Sequence, residues 1–189
     1  MQLETKRLIL RKPRINDWKD LVEGLDEYNV AKMFNPIPYP YTKREAVKWI
    51  DKSIREWGKK SYPFFIELKS EKKIIGWIDI HHIDKFSKKA ITGSWINKKY
   101  WKNTYITEAK IAANDFVFNK LKLRKLNSKV YTDNKASNAT QIKLGYKLEG
   151  TQRKESKNLV TGKIHDYNLY GLLKEDWRKV RPKLVKRQF

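Results

Sequence analysis

Cysteine is absent from this 189-residue chain, which excludes disulfide bridges, thiolate metal sites and a cysteine nucleophile. Only three histidines occur, which argues against a histidine-based zinc site. No apolar run approaches the roughly 18–20 residues that span a bilayer, and the N-terminus lacks the basic and apolar regions of a signal peptide. The sequence therefore predicts a cytoplasmic protein with no metal ion and no membrane partner.

Acidic residues are also scarce, since 21 Asp and Glu stand against 43 Lys and Arg and give a formal net charge of +22. A field of this size attracts polyanions, so contact with nucleic acid or with the ribosome is one interpretation. The alternative is that the basic residues only cover solvated surfaces and have no specific partner. In either case the field should help a polyphosphate cofactor to find its site.

The length of the chain and its hydrophobic fraction of 40% fit one domain of ordinary size. We predict a domain over residues 1–177 and a basic C-terminal tail over residues 178–189, which is either frayed or a contact for a polyanion. Hydrophobic periodicity predicts the order strand, two helices, three strands, helix, strand, helix, two strands. Short links between the early strands predict antiparallel pairing, and the strand–helix–strand segment near residues 90–132 permits a parallel crossover.

The predicted fold is therefore α+β (mixed α/β), with a single central mixed, mostly antiparallel sheet of about six to seven strands flanked by about four helices. Residues 34–41 contain three prolines and predict an extended loop, and residues 153–164 predict an exposed one. These two loops are expected to shape a pocket. On the long central strand, His81 and His82 are predicted to point to opposite faces, with His82 on the face of Ile78 and Ile80.

Two motifs lie in the second half of the chain. Residues 134–137 read Asn-Lys-Ala-Ser and open a predicted helix, and residues 143–146 read Lys-Leu-Gly-Tyr and close it. Together with Leu3–Arg11, with residues 75–78 (Ile-Gly-Trp-Ile) and with the element order, they resemble the GNAT superfamily of N-acetyltransferases. Within that superfamily the chain is similar to the ribosomal-protein N-terminal acetyltransferases, the Rim-type branch. The resemblance covers roughly residues 3–177.

The resemblance implies a GNAT fold and acetyl-CoA as co-substrate, with the cofactor's pyrophosphate on the loop before Tyr105. A helix N-terminus suits phosphate because it presents unpaired N–H groups and the positive end of a dipole. The family usually has glycine at Thr104, glycine or alanine at Ile106 and often glycine at Lys102, so this loop is free of glycine. Positive φ at Thr104 or Ile106 would be strained, whereas Lys102 could add a charge-assisted contact to phosphate.

The implied cofactor-binding residues are Trp95, Ile96, Asn97, Trp101, Lys102, Asn103, Thr104, Tyr105, Ile106, Thr107, Asn134 and Lys143. In the family a backbone amide near the end of the strand at Trp95 and Ile96 polarises the thioester carbonyl. Direct attack by the amine needs no protein nucleophile, which suits a chain without cysteine.

For the acid that protonates the departing thiolate, the resemblance indicates Ser137, with Tyr131 and Tyr146 as alternatives. The acidic residue that the branch often has after Ala90 is replaced by Ile91, so the usual base is missing.

His81 and His82 are the candidate bases, and Asp79, Glu67 or a chain of water molecules are open alternatives. His165 and Asp166 are placed at the mouth of the acceptor pocket.

The sequence thus predicts an N-acetyltransferase that acts on a protein N-terminal amine or a small amine, as a monomer or homodimer. The alternative is a catalytically inactive GNAT-fold module that binds nucleic acid or a ribosomal surface through its charge.

Overall fold

The computed structural model describes residues 1–33 and 35–188, so that Phe34 of the predicted proline-rich loop and Phe189 of the predicted tail lie outside it. Its eight strands are β1 (Gln2–Glu4), β2 (Leu8–Arg11), β3 (Tyr62–Leu68), β4 (Lys73–Asp84), β5 (Lys89–Ile96), β6 (Lys125–Tyr131), β7 (Lys147–Lys157) and β8 (Ile164–Leu173). Its helices are α1 (Trp18–Leu25), α2 (Tyr28–Ala31), α3 (Lys43–Glu56), α4 (Tyr105–Asp115), α5 (Lys135–Lys143) and α6 (Lys174–Gln188). No helix in these described ranges is long and apolar enough to cross a membrane.

The strands form one mixed sheet in the order β1-β2-β3-β4-β5-β6-β8-β7. The mixed α/β class is as predicted, and the sheet is larger than predicted because β1 adds an edge strand, with Leu3 opposite Leu10. β5 and β6 pair in parallel, as the crossover pattern indicated, and α4 connects them. The other neighbouring strands pair antiparallel.

Each face of the sheet is covered by helices whose apolar residues recur at helical spacing. On one face, Leu21 of α1 and Ile50 of α3 pack with Trp77 and Trp95 of the sheet. On the other face, α4, α6 and the strands share a larger apolar cluster. Thr42 caps α3, since the Glu45 backbone N–H donates to the Thr42 hydroxyl at 3.4 Å. The core thus lies on both sides of β4 and β5.

The C-terminal helix runs from Lys174 to Gln188 and so includes residue 177, where the predicted domain ends. Trp177 Nε1 donates to Asp115 Oδ1 at 2.9 Å, and Arg181 pairs with the same carboxylate at 2.6 Å. Leu184, seven residues after Trp177, is buried in the core. Because these contacts attach the helix to α4, the basic residues of this segment up to Lys186 are carried on a packed helix. Whether that helix binds a polyanion stays a prediction.

Two predictions about the strands are wrong. A register shift between His81 and Asp84 breaks the alternation of β4, and His82, with φ of 48°, is exposed instead of sharing the core face of Ile78 and Ile80. Ile83 packs against the core in its place, because the extra residue of a bulge reverses the alternation. The exposed loop predicted over residues 153–164 is shorter, since β7 continues to Lys157.

Candidate functional site

A gap opens between the two parallel strands in the middle of the sheet. β5 pairs with β6 only over Lys89–Ile91, opposite Lys125–Asn127, and no pairing between the two strands is found beyond that point in the described chain. A cavity of about 440 Å³ lies here. The residues around it are Val30, Met33, Ser94, Trp95, Ile96, Tyr100, Trp101, Lys102, Thr104, Tyr105, Ile106, Lys110, Asp133, Asn134, Lys135, Ala136, Ser137 and Thr140. The cavity therefore borders the edge of β5 and the N-termini of both α4 and α5.

The loop before α4 has the shape that glycine normally permits, although it contains none. Lys102 has φ of 64° and Thr104 has φ of 60°, so both lie in the left-handed region. Ile106, the third position in question, is inside α4 and has no positive φ. A non-glycine residue in this region costs roughly 1–2 kcal/mol. The loop therefore adopts a conformation that favours glycine, and it carries strain because glycine is absent.

Arg7, in the connection between β1 and β2, holds this loop in place. Its guanidinium donates from Nη1 to the Asn103 carbonyl at 3.2 Å and from Nη2 to the Thr104 hydroxyl at 3.1 Å. It also covers the ring of Tyr105, with 4.3 Å between Cζ and the ring centroid. Because these contacts fix both sides of the strained residue, the loop is organised in the absence of a ligand.

Glu108 of α4 anchors that arginine. Its carboxylate is only 1% exposed, and it accepts hydrogen bonds from Thr5 Oγ1 at 2.7 Å, from Arg7 N at 2.9 Å and from Arg7 Nε at 2.7 Å. Burial opposes ionisation, but the hydrogen bonds from Thr5 and Arg7 outweigh it and hold the pKa of Glu108 below its usual value. The loop, the first strands and α4 thus form one connected network.

The N-terminus of α5 presents its side chains to the same cavity. Asn134 Oδ1 accepts from the backbone N–H of Ser137 at 3.1 Å, which is the expected N-cap. The Ser137 hydroxyl, by contrast, makes no hydrogen bond with the described residues and borders the cavity. Asn138 fixes the turn by donating to the Tyr131 carbonyl at 2.9 Å and accepting from the Tyr170 hydroxyl at 2.8 Å. This arrangement leaves the serine hydroxyl available to a bound molecule.

The structure brings most of the predicted cofactor-binding residues together, but four of them do not border the cavity. Asn97 is buried and caps a short 3-10 turn, and Asn103 contributes its carbonyl to Arg7. Thr107 is buried inside α4, and Lys143 is exposed at the far end of α5.

Nine cavity residues were not predicted: Val30, Met33, Ser94, Tyr100, Lys110, Asp133, Lys135, Ala136 and Thr140. Most are neighbours in sequence of predicted residues, so the spacing of the two loops could have indicated them. Val30 and Met33 reach the cavity only through the tertiary fold, and nothing local in the sequence marks them.

The candidate bases lie outside the cavity lining. His81 is half-buried on the face of Trp77, its Nδ1 lies 3.1 Å from Asp79 Oδ2, and its ring lies against Gly93 of β5. His82 is exposed on the bulge described above. Glu67 is committed to an ion pair with Arg11 at 2.6 Å. Of these candidates, His81 and Asp79 lie beside Gly93, in the part of β5 that is not paired with β6 in the described chain.

The alternative acids are less accessible than Ser137. Tyr146 is buried in the core, where burial raises the pKa of its hydroxyl. Tyr131 is also buried, and its ring stacks on His165 at 4.1 Å between centroids. His165 is buried in turn, with Nδ1 3.4 Å from Asp133 Oδ1. Asp166 accepts from the backbone N–H of Lys154 at 2.7 Å.

Comparisons with known proteins agree with this geometry. Residues 7–147 match the family described as "Acetyltransferase (GNAT) domain". The chain is 27% identical over 177 residues to the uncharacterized N-acetyltransferase YoaA of Bacillus subtilis (strain 168), covering 91% of this chain and 96% of that protein.

Two solved structures share the fold. One is the ribosomal-protein-S5-alanine acetyltransferase from Vibrio fischeri, with a TM-score of 0.82, 18% identity and coverage of 94% of this chain and 98% of that one. The other is the microcin C7 self-immunity acetyltransferase MccE in complex with acetyl-CoA and AMP, with a TM-score of 0.79, 23% identity and coverage of 89% and 93%. The family match spans most of the chain, and the chain therefore belongs to the GNAT family as an acetyl-CoA-dependent N-acetyltransferase.

Proposed function

We propose that this enzyme transfers the acetyl group of acetyl-CoA directly to a primary amine, either the N-terminal amine of a protein or the amine of a small molecule. One observation carries the proposal: the free edge of β5, the N-terminus of α4 with its left-handed loop, and the hydroxyl of Ser137 all border one cavity. Direct transfer needs the donor thioester and the acceptor amine side by side, and a gap between two strands provides space for both.

The residues present fit acetyl-CoA. The first N–H groups of α4 and the Lys102 ammonium offer donors and positive charge to a pyrophosphate. The edge of β5 at Trp95 and Ile96 offers backbone groups that are not paired with β6 in the described chain, and Asn134 offers an amide. When bound, acetyl-CoA supplies an activated carbonyl and a thiolate leaving group. The chain supplies the position and the protons.

We assign the two proton transfers to two side chains. Ser137 protonates the departing thiolate, since its hydroxyl borders the cavity and its backbone N–H is already bonded by the cap. His81 accepts the proton of the amine, because its ring lies against Gly93 of β5 and its Nδ1 lies 3.1 Å from Asp79 Oδ2. His82, which is exposed on a bulge, is the weaker of the two predicted bases.

We infer that the acceptor enters beside the segment around Val30 and Met33, which borders the cavity and is joined to β7 by two connections. Asn35 Nδ2, in the segment after α2, donates to Ser156 Oγ of β7 at 2.7 Å. Asn158 Nδ2, which follows β7, donates to the Lys32 carbonyl at 3.1 Å. The formal charge of +22 opposes the approach of a polycation, so we propose that the acceptor is a peptide with a neutral or acidic N-terminal sequence, or a neutral or anionic small amine. The S5-alanine enzyme, a structural neighbour, is named for a ribosomal-protein acceptor.

The test combines calorimetric titration with acetyl-CoA and steady-state kinetics on a panel of amines. The panel holds peptides with acidic, neutral and basic N-terminal sequences and one polyamine. We expect binding of acetyl-CoA and the highest kcat/KM with the acidic or neutral peptides. Absence of acetyl-CoA binding at high micromolar concentration would show that the cavity is not a cofactor site. A preference for the polyamine would contradict the acceptor proposal only.

Two variants separate the proton transfers. Ser137→Ala should lower kcat by about 100-fold or more with little change in the affinity for acetyl-CoA, in line with the usual contribution of general acid catalysis. His81→Gln should remove the acidic limb from the pH profile of kcat/KM, on which activity rises as the base loses its proton, and His82→Gln is its matched control. Unchanged turnover in Ser137→Ala, or equal profiles in the two histidine variants, would overturn the respective role.

A further inference from the structure

A lysine is buried inside the cavity without a counter-charge. Lys110 lies on α4, is 4% exposed and borders the cavity. Among the described residues no carboxylate or hydrogen-bond acceptor contacts its ammonium, and burial alone lowers its pKa to about 8. A buried lysine is normally paired, because an isolated ammonium in a poorly hydrated place is costly. The absence of a counter-charge among the described residues indicates that the partner of the Lys110 ammonium belongs to a molecule that binds in the cavity.

The other charged groups around the cavity indicate the charge of that molecule. Other titratable groups around the cavity are Tyr100, Lys102, Tyr105, Asp133 and Lys135. The only carboxylate in that set, Asp133, is paired with Lys163 at 2.8 Å. The nearest acidic residues on α4 are also occupied, since Glu108 binds Arg7 and Asp115 binds Arg181. The cavity therefore presents an excess of positive charge that only an anion can complement.

The helix geometry directs the ammonium toward the start of α4. Lys110 is five residues after Tyr105, which places its Cα about 7.5 Å along the helix axis. Side chains in a helix lean toward its N-terminus, so the long lysine side chain extends back toward the first turn. That turn follows the left-handed loop and carries the free N–H groups. The lysine and the helix N-terminus thus converge on one region of the cavity.

We propose that Lys110 binds a phosphate group of the nucleotide part of acetyl-CoA and is a specificity determinant for that part of the molecule. The inference rests on the proposed function, because it assigns a residue to the same cofactor cavity. Lys110 supplies from inside the cavity a charge that compensates for the looser backbone approach of a loop without glycines. Its contact is charge-assisted, and a phosphate oxygen is the acceptor.

Proton uptake is a consequence that a purely structural lysine would not show. With a pKa of about 8 in the free protein, about half of the Lys110 side chains are neutral at pH 8. A bound phosphate raises the pKa of the ammonium again, since it stabilises the charged form. Binding at pH 8 should therefore take up about half a proton, and the affinity should fall as the pH rises above that value.

The experiment titrates wild-type protein, Lys110→Met and Lys120→Met with acetyl-CoA and with S-acetylpantetheine, which has no phosphate. Methionine keeps the length of the buried side chain and removes its charge. Lys120 is an exposed lysine in the π-helical turn that follows α4, outside the cavity lining, and it is the matched control for loss of one charge. Titrations at pH 8 in buffers of different ionisation enthalpy count the protons, and thermal unfolding without ligand checks the fold.

We expect Lys110→Met to weaken acetyl-CoA binding by about 10-fold or more, to leave acetylpantetheine binding unchanged and to abolish the proton uptake. Its unfolding temperature without ligand should equal or exceed that of wild type, because an unpaired buried charge is removed. Lys120→Met should bind both ligands as wild type does. Equal acetyl-CoA affinity in wild type and Lys110→Met, or equal weakening of both ligands, would overturn the proposal for Lys110 and leave the enzyme assignment intact. Failure of wild type to bind acetyl-CoA would overturn both.

Discussion

Glu108→Gln is the substitution that tests how the loop before α4 is held. Both carboxylate oxygens of Glu108 are acceptors, Oε1 for Thr5 and the Arg7 backbone, and Oε2 for the Arg7 guanidinium. Glutamine has the same shape but only one acceptor oxygen. Whichever way the amide is turned, its NH₂ group faces donors that lose their acceptor.

The expected cost follows from burial. A buried donor left without an acceptor costs about 1–3 kcal/mol. Glu108 is 1% exposed, whereas the Arg7 side chain is 36% exposed and can recover part of its hydration. We therefore expect a loss of about 2–3 kcal/mol of unfolding free energy. For a chain of this size that corresponds to a decrease in Tm of about 4–12 °C, measured by calorimetry or circular dichroism.

The loss should depend on pH with a definite sign. The folded-state pKa of Glu108 is lowered, so its ionisation stabilises the protein above the unfolded-state pKa of about 4.3 and this contribution disappears as the pH falls through the folded value. The difference in Tm between wild type and variant should be constant near neutral pH and shrink in acid. Because Arg7 also bonds to the loop at Asn103 and Thr104, the KM for acetyl-CoA should rise more than kcat falls.

Asp51→Asn is the matched control, since it makes the same chemical change in an exposed ion pair. Asp51 and Arg55 are paired at 3.0 Å with side chains 49% and 70% exposed. Such pairs contribute about 0.5 kcal/mol or less, so Tm should change by no more than about 2 °C. If Glu108→Gln shifts Tm no more than Asp51→Asn does, the network around Arg7 does not hold the loop and the reasoning fails.

Two further substitutions, each with a control variant, test the backbone around the cavity. Lys102→Gly and its control Lys122→Gly both relieve the strain of a positive φ, at 64° and 56°, and each should raise the unfolding free energy by about 0.5 kcal/mol after the entropy of glycine is subtracted. Titration should show weaker acetyl-CoA binding for Lys102→Gly alone. Equal binding in the two variants would remove Lys102 from the site. Gly76→Ala places a methyl group against the Trp95 carbonyl oxygen and 3.0 Å from Ile96 Cα, so it should cost about 1–3 kcal/mol and weaken acetyl-CoA binding by moving β5. Gly150→Ala, which has open space, is its control, and equal stability of the two alanine variants would show that β5 adapts without cost.

Local features were predictable because the sequence encodes them within a few residues. The helix start at Asn134 and the end at Gly145, with φ of 87°, are where cap and turn chemistry place them. The parallel crossover followed from the strand–helix–strand pattern, and the motifs at residues 134–137 and 143–146 indicated the family.

Other features were missed because two distant segments decide them. The bulge that exposes His82 depends on how β4 meets β5, and the packing of the C-terminal helix depends on Asp115 of α4. Neither the alternation of apolar residues along the sequence nor its composition indicates the contact between β4 and β5 or the contact with Asp115.

The glycine-free loop before α4 separates what the sequence determines from what the tertiary structure decides. The sequence by itself determined that the loop before α4 must either carry strain or change shape, because Lys102 and Thr104 are not glycine. Only the tertiary structure decided that the shape is kept, since the residue that holds it, Arg7, is 101 positions from its anchor Glu108. The burial of Lys110 in the cavity has the same origin. A residue's environment depends on which elements pack around it, and that is a property of the folded chain.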